Sequence, residues 1–217
     1  MKSEKKIGPI QWVVFDFGNV ISIAHDKTIL AAMAKRVGAD YSKFHEAYFA
    51  FRQEYDSGSL DASAYYTKVA ESIGLPFNSS LTDELLLLDI KSWHQCHPEM
   101  VAWIRSLLAR GYGCAILSNM PHEHCWHFRK EFPLVNEMSP LLLSAEIALC
   151  KPDPAIYRHL VAATNAAPHA HLFLDDREDN VAGALSVGLN ALQFNSSNDI
   201  LKQIDTVERI LQEVGKE

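Results

Sequence analysis

No apolar stretch in this sequence is long enough to span a bilayer, and none follows the charged start Met1-Lys2-Ser3-Glu4-Lys5-Lys6. A dense basic run is also missing. The net charge is −7, which makes nucleic acid and anionic membranes poor partners. Cysteine is scarce: Cys96, Cys114, Cys125 and Cys150 are scattered without CxxC spacing, and read as free thiols rather than a disulfide framework. There is no internal repeat, and Ser196-Ser197-Asn198 is too short to be a linker. These absences lead to the expectation of a soluble, cytoplasmic chain, monomer or homodimer, with neither nucleic acid nor membrane among its partners. Its 217 residues allow one sizeable core with an insertion, and are too few for two full enzymatic domains.

What is present alternates. Gln11–Phe17 is a nearly continuous apolar run ended by Gly18, as suits a strand buried on both faces. Strand-like runs recur at 114–117, 141–143, 172–174 and 191–194, with helical patterns at 99–110, 154–163 and 180–187. Strands separated by helices predict βαβ units and a parallel sheet. Between the first and second strands, residues 28–74 and 81–90 carry apolar residues at helical spacing and give no strand signal. That block far exceeds the ~10–12 residues a minimal crossover needs, so it reads as a helical insertion. The expected fold is α/β: a Rossmann-like parallel sheet core, residues 1–21 and 96–217, with a small helical cap over 22–95.

Four short pieces lie at the ends of, or beside, the apolar runs: Phe15-Asp16-Phe17-Gly18-Asn19-Val20, Ser118-Asn119, Lys151-Pro152 and Leu174-Asp175-Asp176. Taken singly they read as turns, helix caps or a solvated lysine. Together they supply a nucleophile, a hydroxyl, a cation and an acid pair at the carboxyl edge of a sheet, where open parallel sheets bind ligands. Two adjacent acids behind an apolar strand also call for a cation. The string Asp16-Phe17-Gly18 is found in kinases too, but no Gly-rich loop or His-Arg-Asp partner accompanies it.

In this order the four pieces resemble the motifs of the haloacid dehalogenase superfamily, over the whole chain, with the helical block resembling that superfamily's C1-type cap. Phe-Asp-Phe-Gly-Asn-Val-Ile with Ser-Asn and Asp-Asp-x-x-x-Asn is most similar to the branch that includes α-D-glucose-1-phosphate phosphatase. The resemblance implies a Mg²⁺-dependent phosphatase of small phosphorylated metabolites, sugar phosphates first. Asp16 would attack phosphorus and form an aspartyl-phosphate. Ser118 and Asn119 would contact phosphoryl oxygens, and Lys151 would neutralise charge on the phosphoryl group and on Asp16. Asp16, Asp176 and the Gly18 carbonyl would hold Mg²⁺, with Asp175 either a further ligand or a residue behind the ligands, and Asn180 steadying the loop or a water.

One departure stands out. Most phosphatases of this superfamily carry a second Asp, acting as general acid, where this chain has Gly18. A general acid contributes ~10²–10⁴-fold in rate. The sugar-phosphate branch shares the Asp-x-Gly-Asn pattern, and an anomeric phosphate has a better leaving group than an alkyl phosphate. His25 or Asp26 are candidates to protonate it. The same departure admits a metal-independent 2-haloacid dehalogenase, although those enzymes carry Tyr-Gly-Thr after the nucleophile, or a non-catalytic phosphometabolite-binding protein.

The cluster His122-Glu123-His124-Cys125-Trp126-His127 lacks the separated second ligand pair of a structural zinc site, and reads as the rim of the active site, where His122 or His124 could touch substrate. Substrate choice is expected from the cap. Arg52 leads the substrate-binding candidates, able to read sugar hydroxyls or a second anion. Tyr48, Tyr55, Trp93, His94 and His97 follow, while Phe44, Tyr48 and Phe51 at helical spacing suit a core.

Overall fold

The computed structural model describes residues 9–23, 25–93 and 95–214; the charged start of the chain and His94 lie outside them. Five strands form one parallel sheet in the order β3-β2-β1-β4-β5: β1 Trp12–Phe15, β2 Gly113–Ser118, β3 Leu141–Leu143, β4 His171–Asp175 and β5 Asn190–Gln193. The α/β fold and the parallel sheet are as the alternation predicts. β1 is shorter than its apolar run, so that Asp16 and Phe17 fall just past the strand, where the chain turns.

Period-2 alternation puts side chains on both faces of the sheet. Val13, Phe15, Ile116 and Leu174 pack with Met100, Trp103, Ile104 and Leu107 of α6 (Pro98–Ala109) and with Val207 and Leu211 of α11 (Ile200–Val214). Val14, Leu117 and Phe173 face α9 (Pro154–Thr164) and α10 (Glu178–Ser186) through Ile156, Tyr157, Leu160 and Ala184. Burial on both faces accounts for the unbroken apolar strands.

Residues 27–93 carry a separate apolar cluster built by α1 (Lys27–Arg36), α2 (Tyr41–Ala50), α3 (Arg52–Asp56), α4 (Ala62–Ser72) and α5 (Thr82–Trp93). Asp26, Asp40 and Asp61 cap three of these helices by accepting from backbone N–H groups of the first turn. The block meets the sheet unit through a short antiparallel link: Ser22 bridges Cys96, Ile23 N–H donates to the Gln95 carbonyl, and His97 N–H donates to the Ile21 carbonyl. Farther out, Ser144 Oγ at the start of α8 (Ser144–Ile147) donates to the Asp56 carbonyl at 2.5 Å. Glu123 on α7 (His122–Glu131) accepts from Ala62 N–H at 2.8 Å. Among the described residues no helix is long and apolar enough to cross a membrane.

Candidate active site

Strand register assembles the site. Phe15 is level with Ile116 on one side and Leu174 on the other, so Asp16, Ser118 and Asp175 emerge at one sheet edge. Asp16 is anchored there by its own N–H, which donates to the Leu174 carbonyl at 2.9 Å, while its Oδ1 accepts from Phe17 N–H at 2.7 Å. Lys151 reaches in from the loop before α9. Its Nζ lies 2.9 Å from Asp16 Oδ1 and 2.6 Å from Asp175 Oδ2.

That lysine is 2 % exposed, and burial works against its charge, yet Asp16 and Asp175 more than offset this and hold the ammonium above its ordinary range. Burial in turn pushes the Asp16 carboxyl up to about 7, with Lys151 opposing and Asp175 and Asp176 adding to the rise. Asp176 is pushed up by burial as well, against a hydrogen bond from Asn19 Nδ2 at 2.9 Å.

Among the described residues, Asp16, Asp175 and Asp176 are a group whose ligand atoms lie within 4.8 Å of one another. Three carboxylates so close, one ammonium among them, suit a hard divalent cation of the Mg²⁺ type. They are not equivalent. Asp175 already accepts from Arg177 N–H and Asn180 Nδ2, both at 2.9 Å, and from Lys151 at 2.6 Å. Asp16 and Asp176 keep oxygens for a metal; Asp175 is occupied in holding Lys151 and the loop, and Asn180 steadies it. Asn119 differs from its expected contact with a phosphoryl oxygen: its amide exchanges two hydrogen bonds, each 2.9 Å, with the backbone of Lys151.

These groups open on a cavity of about 660 Å³ between the sheet edge and the helical block. Arg52 lies on its helical wall, where its Nε donates to Asp56 at 2.8 Å and its Nη1 to Asp89 at 3.1 Å and to Tyr48 Oη at 2.5 Å. Burial raises the Asp89 carboxyl, but Arg52 and His124 outweigh it and hold the acid well below the usual carboxylate range. His124 Nε2 stands 3.4 Å from Asp89, a through-space contact without hydrogen-bond alignment. Trp93 lies over Gly18 and donates from its indole to Tyr48 at 3.2 Å.

Several expectations are corrected. His25 and Asp26 do not line the cavity: Asp26 is spent on capping α1, and His25 is wedged against Trp93 with ring centroids 4.5 Å apart. His97 sits ahead of α6, 3.8 Å from Glu99, and is also away from the cavity. Tyr55 is a core residue rather than a substrate contact, and Tyr48 is in the core as its helical spacing predicts. The His-rich cluster falls on α7, from which His124 lines the cavity.

Three further residues contribute to the site. Asn19 adopts a left-handed φ of 55°, which asparagine tolerates better than most residues, and this places its amide on Asp176. Asp56 is four residues beyond Arg52, the spacing of a helix-face ion pair. Asp89 is a lone acid in the apolar run of α5, which should have signalled a buried cation partner.

Comparison with known proteins shows the family. A family model described as haloacid dehalogenase-like hydrolase matches residues 10–188. The chain is 25% identical over 208 residues to a D-ribitol-5-phosphate phosphatase of Bacteroides thetaiotaomicron, covering 91% of this chain and 98% of that one. It is 27% identical over 130 residues to an (S)-2-haloacid dehalogenase of Pseudomonas sp., covering 59% and 56%. A HAD family enzyme of Bacteroides thetaiotaomicron, solved in complex with magnesium and inorganic phosphate, superposes with a TM-score of 0.71 at 18% identity, over 88% of this chain and 96% of that one.

Proposed function

Because the chain belongs to the haloacid dehalogenase-like hydrolase family, we propose that it is a Mg²⁺-dependent phosphatase of small phosphorylated metabolites, sugar and polyol phosphates first. The observation that carries this reading is the convergence of Asp16, Asp176 and Lys151 at one sheet edge. The likeness to a D-ribitol-5-phosphate phosphatase supports it.

Asp16 and Asp176 would hold the cation together with the Gly18 carbonyl; when bound, it supplies positive charge for the phosphoryl oxygens. Lys151, fixed by Asp175, adds a second positive charge on the same group. Asp16 attacks phosphorus in line, the bond to the leaving oxygen breaks, and an aspartyl-phosphate forms. Water then attacks that phosphorus, releasing phosphate and restoring the carboxylate. Ser118, 2 % exposed at the end of β2, donates to a phosphoryl oxygen. Asn119 keeps Lys151 in place through its backbone.

The dehalogenase alternative has support from two relatives, 27% and 24% identical, but displacement of halide from carbon needs no metal, and so gives no metal-holding role to Asp176 and the Asn19 amide that orients it. Phosphate release from a panel of sugar phosphates, with and without Mg²⁺, tests the proposal. Metal-dependent release by the native chain, lost in Asp16→Asn, is expected. Halide release from 2-haloacids without metal, and no phosphate release, would assign the chain to the other chemistry.

A further inference from the structure

The charges around the cavity are unevenly spread. Among the described residues its wall carries three Lys or Arg cations, and each is already met by carboxylates. Lys151 lies between Asp16 and Asp175 at 2.9 and 2.6 Å. Arg177 pairs with Asp179 at 2.7 Å. Arg52 lies between Asp56 and Asp89 at 2.8 and 3.1 Å.

A divalent cation at Asp16 and Asp176 would restore positive charge at the sheet edge, where a phosphoryl group would sit. Nothing comparable exists at the helical wall. The side chains of Arg52 and Asp56 are only 14 % and 13 % exposed, and that of Asp89 is fully buried, so solvent screens this cluster weakly. Two acids against one guanidinium leave a surplus of negative charge in this cluster, with His124 Nε2 3.4 Å from Asp89. What it offers a ligand is acceptor oxygen from Asp56 and the amide of Gln53, beside the apolar faces of Phe49, Ile90 and Trp93. Such a surface accepts hydroxyl donors and sugar-like carbon faces. A carboxylate or second phosphate placed there would be desolvated against Asp56 with no free cation to receive it.

We infer that the leaving-group end of this cavity selects phosphate monoesters whose remainder is uncharged and hydroxylated, and rejects those with a second anionic group, Arg52 being held by Asp56 and Asp89 so that it cannot act as an anion receptor. This rests on the phosphatase reading and narrows it: Asp56 and Asp89 repel a second anion and keep Arg52 from receiving it.

Matched pairs test it: glycerol phosphate against phosphoglycerate, and glucose phosphate against phosphogluconate. For each, kcat/KM is measured with saturating Mg²⁺, and binding is measured by calorimetry on Asp16→Asn with Mg²⁺. The neutral member of each pair should be favoured by about tenfold or more in both readouts. Asp56→Asn, which releases Arg52 from one carboxylate, should narrow the ratio by raising the charged member, in a protein whose circular dichroism is native. Equal values within the pairs, preference for the charged member, or no binding of the neutral member would overturn the inference. Should Asp56→Asn fail to fold, the matched pairs on the native wall decide alone. If no ester is hydrolysed, the phosphatase reading fails, and the calorimetric ratios still decide the selectivity of the wall.

Discussion

A methyl group built on Gly18 would stand 3.3 Å from the ring of Trp93, the last residue of α5. The position where related phosphatases carry a general acid is thus roofed by an indole, which is in turn tied to Tyr48 and packed on His25. Restoring the acid by Gly18→Asp should therefore lower turnover rather than raise it, because the new side chain must displace Trp93. Adding Trp93→Ala should recover part of the loss. A Gly18→Asp single variant faster than the native enzyme on alkyl phosphates would refute this.

With Gly18 in place of an acid and with His25 and Asp26 away from the cavity, none of the positions expected to protonate the departing oxygen does so. Anomeric sugar phosphates and aryl phosphates should turn over at least roughly tenfold faster than primary alkyl phosphates of similar size, since a positioned acid is worth ~10²–10⁴-fold. A flat dependence of kcat on leaving-group pKa would reveal an acid in the site.

What the sequence discloses of this fold and site follows from the physics of each signal. Buried parallel strands are unbroken apolar runs, so the sheet and the acids at its edge could be read directly. The amphipathic α11, which buries Val207 and Leu211 on the core, is readable in the same way from its helical spacing of apolar residues. Ser118, Lys151 and Asp176 were legible as motif residues. The role of Asn19 is hidden in the sequence, since it depends on a left-handed backbone that places the amide on an acid 157 residues away. The Asp56–Arg52–Asp89 cluster joins α3 to α5, and such a helix-to-helix pairing leaves only one i,i+4 spacing and a lone acid in the apolar run of α5 as local signals, neither of which names the partner.

Asn19 allows backbone and side-chain effects to be separated. Asn19→Gly relieves the left-handed conformation and deletes the amide, so stability should be nearly kept while Mg²⁺ affinity falls about tenfold, as for other residues that orient metal ligands. Asn19→Ala should lose the same affinity and a further 1–2 kcal/mol or so of stability, because alanine is strained at that φ. Calorimetric Mg²⁺ titration together with urea unfolding checks both. Unchanged Mg²⁺ affinity in the glycine variant would remove Asn19 from the site.

Lys151 is locked between two buried carboxylates. Lys151→Met should abolish detectable turnover and, by leaving Asp16 and Asp175 facing each other, destabilise the fold by roughly 3–5 kcal/mol at neutral pH. Unfolding midpoints with and without Mg²⁺ would show whether a cation substitutes for the lysine. A variant as stable as the native protein would mean that the pair does not carry the charge balance proposed.

His25 is held neutral: burial lowers its pKa to about 4, with Asp89 opposing and Arg52 adding to the fall. In the unfolded chain it takes up a proton near pH 6.5. Between those values the unfolded state binds more protons, so stability should rise with pH from about 4 to about 6.5 and level off above. His25→Phe should flatten that slope in urea unfolding followed across the window. An unaltered slope would place the acid sensitivity elsewhere.

The central claim is that Asp16 carries the phosphoryl group. Rapid acid quench of the native enzyme turning over a sugar phosphate with Mg²⁺, followed by mass spectrometry of the peptide containing Asp16, tests it most directly. A peptide heavier by one phosphoryl group, assigned to Asp16 and absent without Mg²⁺, is expected. Steady phosphate release with Asp16 unmodified at every quench time, or a phosphoryl group on another residue, would contradict it.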